Sequence, residues 1–142
     1  MKILEVLTKR RMTGNLGERA AVRYLRLHGY RIRRRNFVAG DAEIDVIAES
    51  RSVLAFVEVK TRTLGHITPK EPRPASAVTP EKQRKIIKAS LSYPGFYSAK
   101  KRIRYDVIEV YLKDSDRPKI DTIKHLESAF DKNSAYPHSK RG

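Results

Sequence analysis

Two short apolar runs separated by a polar turn constrain the fold of this chain most. The first is Glu43-Ile44-Asp45-Val46-Ile47-Ala48, and the second extends from Val53 to Val59. Both have the length and the β-branched composition of buried strands. With Arg51-Ser52 as a two-residue tip, they are predicted to pair as an antiparallel hairpin.

This hairpin would bring charged side chains together at its open end. Asp45 falls opposite Glu58, and Glu43 falls opposite Lys60, which shares a strand face with Glu58. Directly opposed residues have Cβ atoms about 4.5–5.5 Å apart, and two like charges at that distance are destabilising. A bound Mg²⁺ or Mn²⁺ would relieve the repulsion, and two carboxylates beside a lysine suit metal-assisted attack on a phosphodiester. The alternative is that these are solvated charges at strand ends, and a one-residue slip would separate the two acids.

The charge of the chain indicates a polyanionic partner. The 142 residues, a length typical of one domain, carry a formal net charge of +15. Residues 1–35 contain eleven Lys or Arg against two Glu, and residues 60–85 contain seven against two. Arginine predominates in the first block, and its planar fork suits phosphate. Nucleic acid is therefore the expected partner, ahead of an anionic membrane surface.

Several absences narrow the class of protein. The chain has no cysteine, which excludes disulfides and thiolate zinc sites, and its histidines lack metal-ligand spacing. The N-terminus is too short and too interrupted for a signal sequence, and no run approaches membrane-spanning length. A cytoplasmic protein without membrane association is expected.

The remaining pattern predicts an α/β domain with a mixed sheet flanked by helices, in the order α-β-β-β-α-β-β. The predicted helices are 15–28 and 79–92, and the predicted strands are 30–36, 43–48, 53–61, 104–112 and 120–126. Residues 1–13 are expected to form a basic arm or a helical turn, 14–130 the domain, and 131–142 a disordered polar tail. The proline-rich segment 63–79 is expected to be a functional or mobile loop.

Further candidate residues lie on the two helices. Glu18 borders the apolar face of the first helix, where it could approach a metal or simply cap the helix. Lys82 and Gln83 begin the second helix and could lean toward the sheet or remain solvated. Asp41 and Glu43 could be supplementary ligands, although a pairing with Lys60 explains Glu43 equally well. A basic ridge of the first helix is predicted to bind nucleic acid together with Arg62, Lys82 and Gln83, and it consists of Arg19, Arg23 and Arg26.

Tyr93, Phe96 and Tyr97 form an aromatic cluster beside basic residues. Such a cluster could stack on unpaired bases. Packing as a small satellite core explains the pattern better.

The sequence resembles the YraN-type family of small bacterial proteins with a restriction-endonuclease-like fold. The matching motifs span roughly residues 14–130. They are Gly14-x-x-Gly17-Glu18, Leu25…Gly29-Tyr30, Arg35-Asn36, Glu43 to Ala48, Phe56 to Arg62, Gly65, Ala77-Val78…Lys82, Arg104 to Ile108, and Ala129-Phe130. Two departures are Ala42, where the family usually has glycine, and the proline content of 63–79.

The resemblance implies membership of the PD-(D/E)xK nuclease superfamily, close to the archaeal Holliday-junction resolvases. It implies an active site of Glu18, Asp45, Glu58 and Lys60, with Asp45, Glu58 and Glu18 as metal ligands. The preferred function is a Mg²⁺- or Mn²⁺-dependent endonuclease acting on structured or branched DNA. The alternatives are a catalytically silent nucleic-acid-binding protein with a nuclease fold, and a basic ribosome-associated or assembly protein. Cutting a four-way junction symmetrically would require a homodimer.

Overall fold

The computed structural model describes residues 2–64, 78–113 and 116–137, with residues 2–13 described as backbone only. The helices and strands follow one another along the chain as α1 (Lys2–Leu27), β1 (Arg31–Ala39), β2 (Ala42–Glu49), β3 (Val53–Thr63), α2 (Pro80–Ser90), α3 (Gly95–Ser98), β4 (Arg102–Lys113), β5 (Lys119–Phe130) and α4 (Lys132–Ala135). The predicted strands and the two predicted helices are all present.

The five strands form one mixed sheet in the order β1-β2-β3-β4-β5. Strands β3 and β4 are parallel, and the other neighbouring pairs are antiparallel. A parallel pair needs a long crossover connection, and the segment that contains α2 and α3 provides it. The mixed α/β class is confirmed, and the order of elements is consistent with a restriction-endonuclease-like fold.

The sheet separates two apolar cores. On one face, Leu25 of α1 packs with Val57 and other side chains from β2, β3 and β4. On the other face, Ile86 and Ile87 of α2 pack with Phe56 and its neighbours. Both faces of the central strands are therefore buried, which explains why β3 is apolar at consecutive positions.

The hairpin of β2 and β3 has the predicted register. Val46 pairs with Val57, and Glu49 pairs with Leu54. The N–H of Ser50 donates to the Val53 carbonyl across the tip, with N and O 2.8 Å apart. The ladder recorded for these strands ends at Val46 and Val57, so Asp45 and Glu58 lie just beyond its last pair.

The first helix begins earlier than predicted. The pattern at Asn15 and Glu18 indicated a helix start, but α1 is continuous from Lys2, so the expectation of an arm or a single turn over 1–13 was wrong. The segment before Asn15 is rich in Lys, Arg and Leu, which favour helix, and the apparent capping pair lies inside it. The helix ends where predicted, because Gly29 adopts a φ of 87° that other residues rarely take.

Two other expectations concerned the C-terminal tail and the proline-rich loop. Residues 131–137 include the short helix α4, where Asp131 accepts from the Ser134 N–H at 3.0 Å, so the polar tail is ordered up to that point. Most of the proline-rich loop (65–77) and the end of the tail (138–142) lie outside the described residues.

Candidate active site

Asp45 lies at a point where the sheet changes the direction of its side chains. Its neighbours Ile44 and Val46 are two residues apart, yet they belong to the cores on opposite faces. On the adjoining strand, Arg35 pairs with Val46 and Phe37 pairs with Ile44. Asn36, between them, has a φ of 52°, a left-handed conformation that reverses the alternation locally. Asp45 is thereby placed between the two faces.

The carboxyl group of Asp45 meets that of Glu58. Oδ2 of Asp45 accepts from the Val59 N–H at 2.8 Å. Burial and then the nearby negative charge of Glu58, which also hydrogen-bonds to Asp45, raise the pKa of Asp45 to about 7, although the Val59 N–H opposes the shift. The predicted approach of the two acids is present, and the ionised form of Asp45 is the one that burial and Glu58 disfavour.

Glu58 is buried, with 6% of its surface exposed, and two lysines neutralise it. Oε2 of Glu58 lies 3.3 Å from Nζ of Lys60 and 2.5 Å from Nζ of Lys82. Burial lowers the pKa of Lys82, but the hydrogen bond and the charge of Glu58 outweigh it, so the net pKa is raised. Lys82 is therefore a cation at neutral pH.

Helix α1 brings Glu18 to the same region because Gly17 allows a close approach to β3. A Cβ atom at Gly17 would lie 2.0 Å from Oγ1 of Thr61. Glu18 is paired with Arg35 of β1, with Oε1 and Nη2 3.2 Å apart. Its charge contributes to the raised pKa of Asp45, so the two carboxylates are close enough to interact.

Asp45 lines two clefts, one on each face of the sheet. The cleft toward α1, of about 370 Å³, contains Glu18 and Thr61. The cleft toward α2, of about 450 Å³, contains Glu58 and Lys82. A ligand in either cleft can therefore reach the Asp45 carboxylate.

The carboxylate oxygens of Asp45 and Glu58 are of the kind that a hard divalent cation binds. Among the described residues, no three Asp, Glu, His or Cys side chains are arranged to hold a metal ion. Glu18, predicted as a third ligand, is paired with Arg35. Mg²⁺ binds through one or two carboxylates, keeping several waters, and the Asp45–Glu58 pair offers that number. The mutual repulsion of this pair is what a cation would relieve.

The residues predicted to contact nucleic acid differ in their exposure. The side chains of the basic ridge are exposed, and Arg62 is half-buried on β3. Gln83, predicted to contact nucleic acid, is turned away from the surface. Its amide is buried, donating to the Val78 carbonyl at 2.8 Å and accepting from the Ser134 hydroxyl at 2.8 Å. Gln83 directly follows Lys82, but successive side chains of a helix point in different directions, and that of Gln83 points toward the interior.

The remaining candidates are Asp41, Glu43 and the aromatic cluster. Asp41 and Glu43 are exposed and line the cleft toward α2, where Asp41 pairs with Lys85 at 3.3 Å. Of the aromatic cluster, Tyr93 and Phe96 pack against the core, as the satellite-core interpretation predicted. Tyr97 is exposed.

A second polar cluster lies at the far end of α1 and was not identified from the sequence. Asp106 is fully buried and accepts from Arg104, with Oδ2 and Nη2 2.8 Å apart. Nε2 of His125 also lies 2.7 Å from Oδ2 of Asp106, and the Arg104 guanidinium reaches the Tyr30 hydroxyl. Burial raises the pKa of Asp106, but these hydrogen bonds outweigh it and lower the pKa. The cluster joins β4 and β5 to Tyr30, which lies between α1 and β1.

The mixed sheet, flanked by helices, carries an acidic pair and a lysine just beyond the β2–β3 ladder, which is consistent with the restriction-endonuclease-like class of α/β protein. No helix among the described residues is long and apolar enough to cross a membrane.

Comparison with known proteins identifies the family. The family described as Uncharacterised protein family UPF0102 matches residues 17–110. A UPF0102 protein of Chlorobium phaeobacteroides (strain BS1) is 41% identical over 120 residues, covering 82% of this chain and 92% of that protein. One of Myxococcus xanthus is 39% identical over 124 residues, covering 87% and 92%. The chain belongs to this family, as its motifs predicted.

Proposed function

We propose that this protein is a metal-dependent endonuclease that hydrolyses phosphodiester bonds of structured or branched DNA. The observation that carries the proposal is the Asp45–Glu58 carboxyl pair, held in contact beside two lysines. Keeping two acids together in a chain of net charge +15 costs stability, and a metal-binding role accounts for that cost. A surface that only binds phosphate would gain from losing both acids.

Asp45 and Glu58 would hold Mg²⁺ or Mn²⁺, and Glu18 could assist from α1. A divalent cation bound there would polarise the scissile phosphate and stabilise the negative charge that develops on it. Lys60, which lies beside Glu58, would orient a water or neutralise a phosphate oxygen. Hydrolysis adds the water oxygen to phosphorus, breaks one P–O bond of the strand and delivers a proton to the leaving oxygen.

The basic ridge supports the nucleic-acid part of the proposal. Its three arginines are exposed and share a cleft of about 540 Å³ with Arg35, which also contacts Glu18. The arginines therefore extend from the candidate active site along α1. If about six phosphates are contacted, log K should fall with log salt at a slope near −5. Charge reversal of the ridge should flatten that slope, whereas an unchanged slope would remove the ridge from the binding surface.

The preference for branched DNA rests on the resemblance to junction resolvases. Symmetric cutting of a junction would bring two copies of the chain together on one substrate. A panel of junction, flap, single-stranded and duplex substrates with Mg²⁺ or Mn²⁺ tests both the activity and the preference.

The second candidate is a nucleic-acid-binding protein that cleaves nothing. The ion pairs of Glu58 with two lysines and of Glu18 with Arg35 favour it, because carboxylates neutralised internally do not repel phosphate. Three variants distinguish the candidates. In a nuclease, Asp45→Asn, Glu58→Gln and Lys60→Ala abolish cleavage, while the first two bind DNA at least as well as the parent in metal-free buffer. If the parent cleaves none of the four substrates with either metal, the protein is a binder.

A further inference from the structure

Lys82 is in direct contact with one of the candidate metal ligands. Its Nζ is 2.5 Å from Oε2 of Glu58, a shorter contact than the 3.3 Å between Lys60 and the same oxygen. The charge of Asp45 also acts on Lys82. The ammonium group thus lies where the two carboxylates converge.

The start of α2 fixes the position from which this side chain extends. The Thr79 hydroxyl accepts from the backbone N–H of Lys82 at 3.2 Å, and Pro80 occupies the first turn. Gln83 anchors the next position through the buried hydrogen bond to Val78. The side chain itself remains 44% exposed, so it can swing away while the helix stays in place.

We propose that Lys82 acts as a built-in counter-cation that occupies the metal-binding carboxylate Glu58 and is displaced when the divalent cation binds. This inference rests on the proposed function, since it takes Glu58 as a metal ligand. An ammonium and a metal ion cannot share the same carboxylate oxygen at full strength, so they compete for Glu58. The displaced ammonium remains on the wall of the cleft of about 450 Å³, beside the place that a substrate phosphate would occupy.

Competition predicts that removing the ammonium improves metal binding. We expect Lys82→Met to bind Mn²⁺ roughly five- to tenfold more tightly than the parent, the scale of one charge-assisted hydrogen bond at a half-exposed side chain. Free Mn²⁺ is measured by electron paramagnetic resonance during titration of the protein. The matched control is Lys85→Met, which removes a cation from the same helix and the same cleft. In the parent, Lys85 pairs with Asp41 and Glu81. The Mn²⁺ affinity of this control should change less than twofold.

Displacement also predicts that Lys82 contacts nucleic acid only after metal has bound. With a fluorescein-labelled oligonucleotide, Lys82→Met should bind within twofold of the parent in EDTA and at least threefold more weakly in Ca²⁺. Lys82→Arg, which keeps the charge, should retain the parent's response in both buffers. Thermal unfolding confirms that the variants are folded, and the helix cap is preserved because it uses the backbone of Lys82.

The outcomes separate this inference from the proposed function. Equal gains in Mn²⁺ affinity for Lys82→Met and Lys85→Met, or a loss in Lys82→Met, overturn the counter-cation role while leaving a nuclease intact. Equal losses of oligonucleotide affinity in EDTA and Ca²⁺ overturn the displacement. Failure of the parent and of every variant to bind Mn²⁺ refutes the metal site and the inference together.

Discussion

The pKa of Asp45 makes a specific prediction about stability. It is about 7 in the folded protein, against 3.8 for an ordinary aspartate. Between these values the folded protein holds a proton that the unfolded chain has released, so this group lowers stability progressively as the pH rises. The penalty is absent below about pH 3.8 and complete above pH 7. At about 1.36 kcal/mol per pKa unit, it amounts to roughly 4 kcal/mol.

Asp45→Asn removes this penalty without removing the main contact. The asparagine oxygen can still accept from Val59, and its amide can donate to Glu58. We expect the variant to be more stable than the parent by roughly 2–4 kcal/mol at pH 8 in EDTA, and by about 1 kcal/mol or less at pH 4.5. For a domain of this size, that corresponds to a rise in Tm of roughly 6–12 °C at pH 8.

Thermal and urea unfolding at the two pH values, followed by circular dichroism, measure the difference. Asp41→Asn is the control, because Asp41 lines the same cleft but is exposed and paired with Lys85. Adding Mg²⁺ at pH 8 should stabilise the parent and leave Asp45→Asn nearly unchanged. A variant that gains nothing at pH 8, or gains equally at both pH values, would refute the reasoning that Glu58 and burial destabilise the ionised Asp45.

Two further predictions concern the elements that support the site. Gly17→Ala should destabilise the protein by roughly 1–3 kcal/mol, because its Cβ would lie 2.0 Å from Oγ1 of Thr61. The control is Gly14→Ala in the same helix, which meets nothing within 4 Å and should stabilise the protein by up to about 1 kcal/mol. Urea midpoints that move equally in the two variants would contradict the close approach. Asp106→Asn should cost about 3–5 kcal/mol, because it removes the buried charge that Arg104 pairs with and leaves only the longer contact with the exposed Glu127 as an ion pair for Arg104 among the described residues. A loss below 1 kcal/mol in the same unfolding assay would show that the cluster does not hold β4, β5 and α1 together.

The features predicted correctly from the sequence are those with a local cause. The hairpin register follows from two apolar runs and a two-residue tip. Because side chains alternate along a strand, that register determines which of them share a face. The contact of Asp45 with Glu58 follows from that register. The start of α2 follows from Thr79 and Pro80, which have the same preference in any context.

The features that the sequence did not reveal depend on tertiary contacts. The reversal at Asn36 and Asp45 involves two strands at once, and neither strand alone indicates it. The sequence left open whether Lys82 leans toward the sheet or remains solvated, because its bond to Glu58 depends on how α2 docks. The start of α1 was missed because a capping pattern also occurs inside helices, where its residues make other contacts such as that of Glu18 with Arg35.

The distribution of counter-charges shows where a divalent cation would matter most. Glu18 has Arg35, and Glu58 has two lysines. Asp45 makes no direct ion pair among the described residues, although its charge and that of Lys82 interact, and its hydrogen bond comes from a backbone N–H. A cation placed at the pair therefore gains most from Asp45, while at Glu58 it must displace lysine. For this reason the loss of Asp45 should weaken Mn²⁺ binding more than the loss of Glu58 does, and an Mn²⁺ titration of Asp45→Asn beside Glu58→Gln decides the order. The reverse order would mean that Glu58 is the principal ligand and that its lysines are no obstacle to the metal.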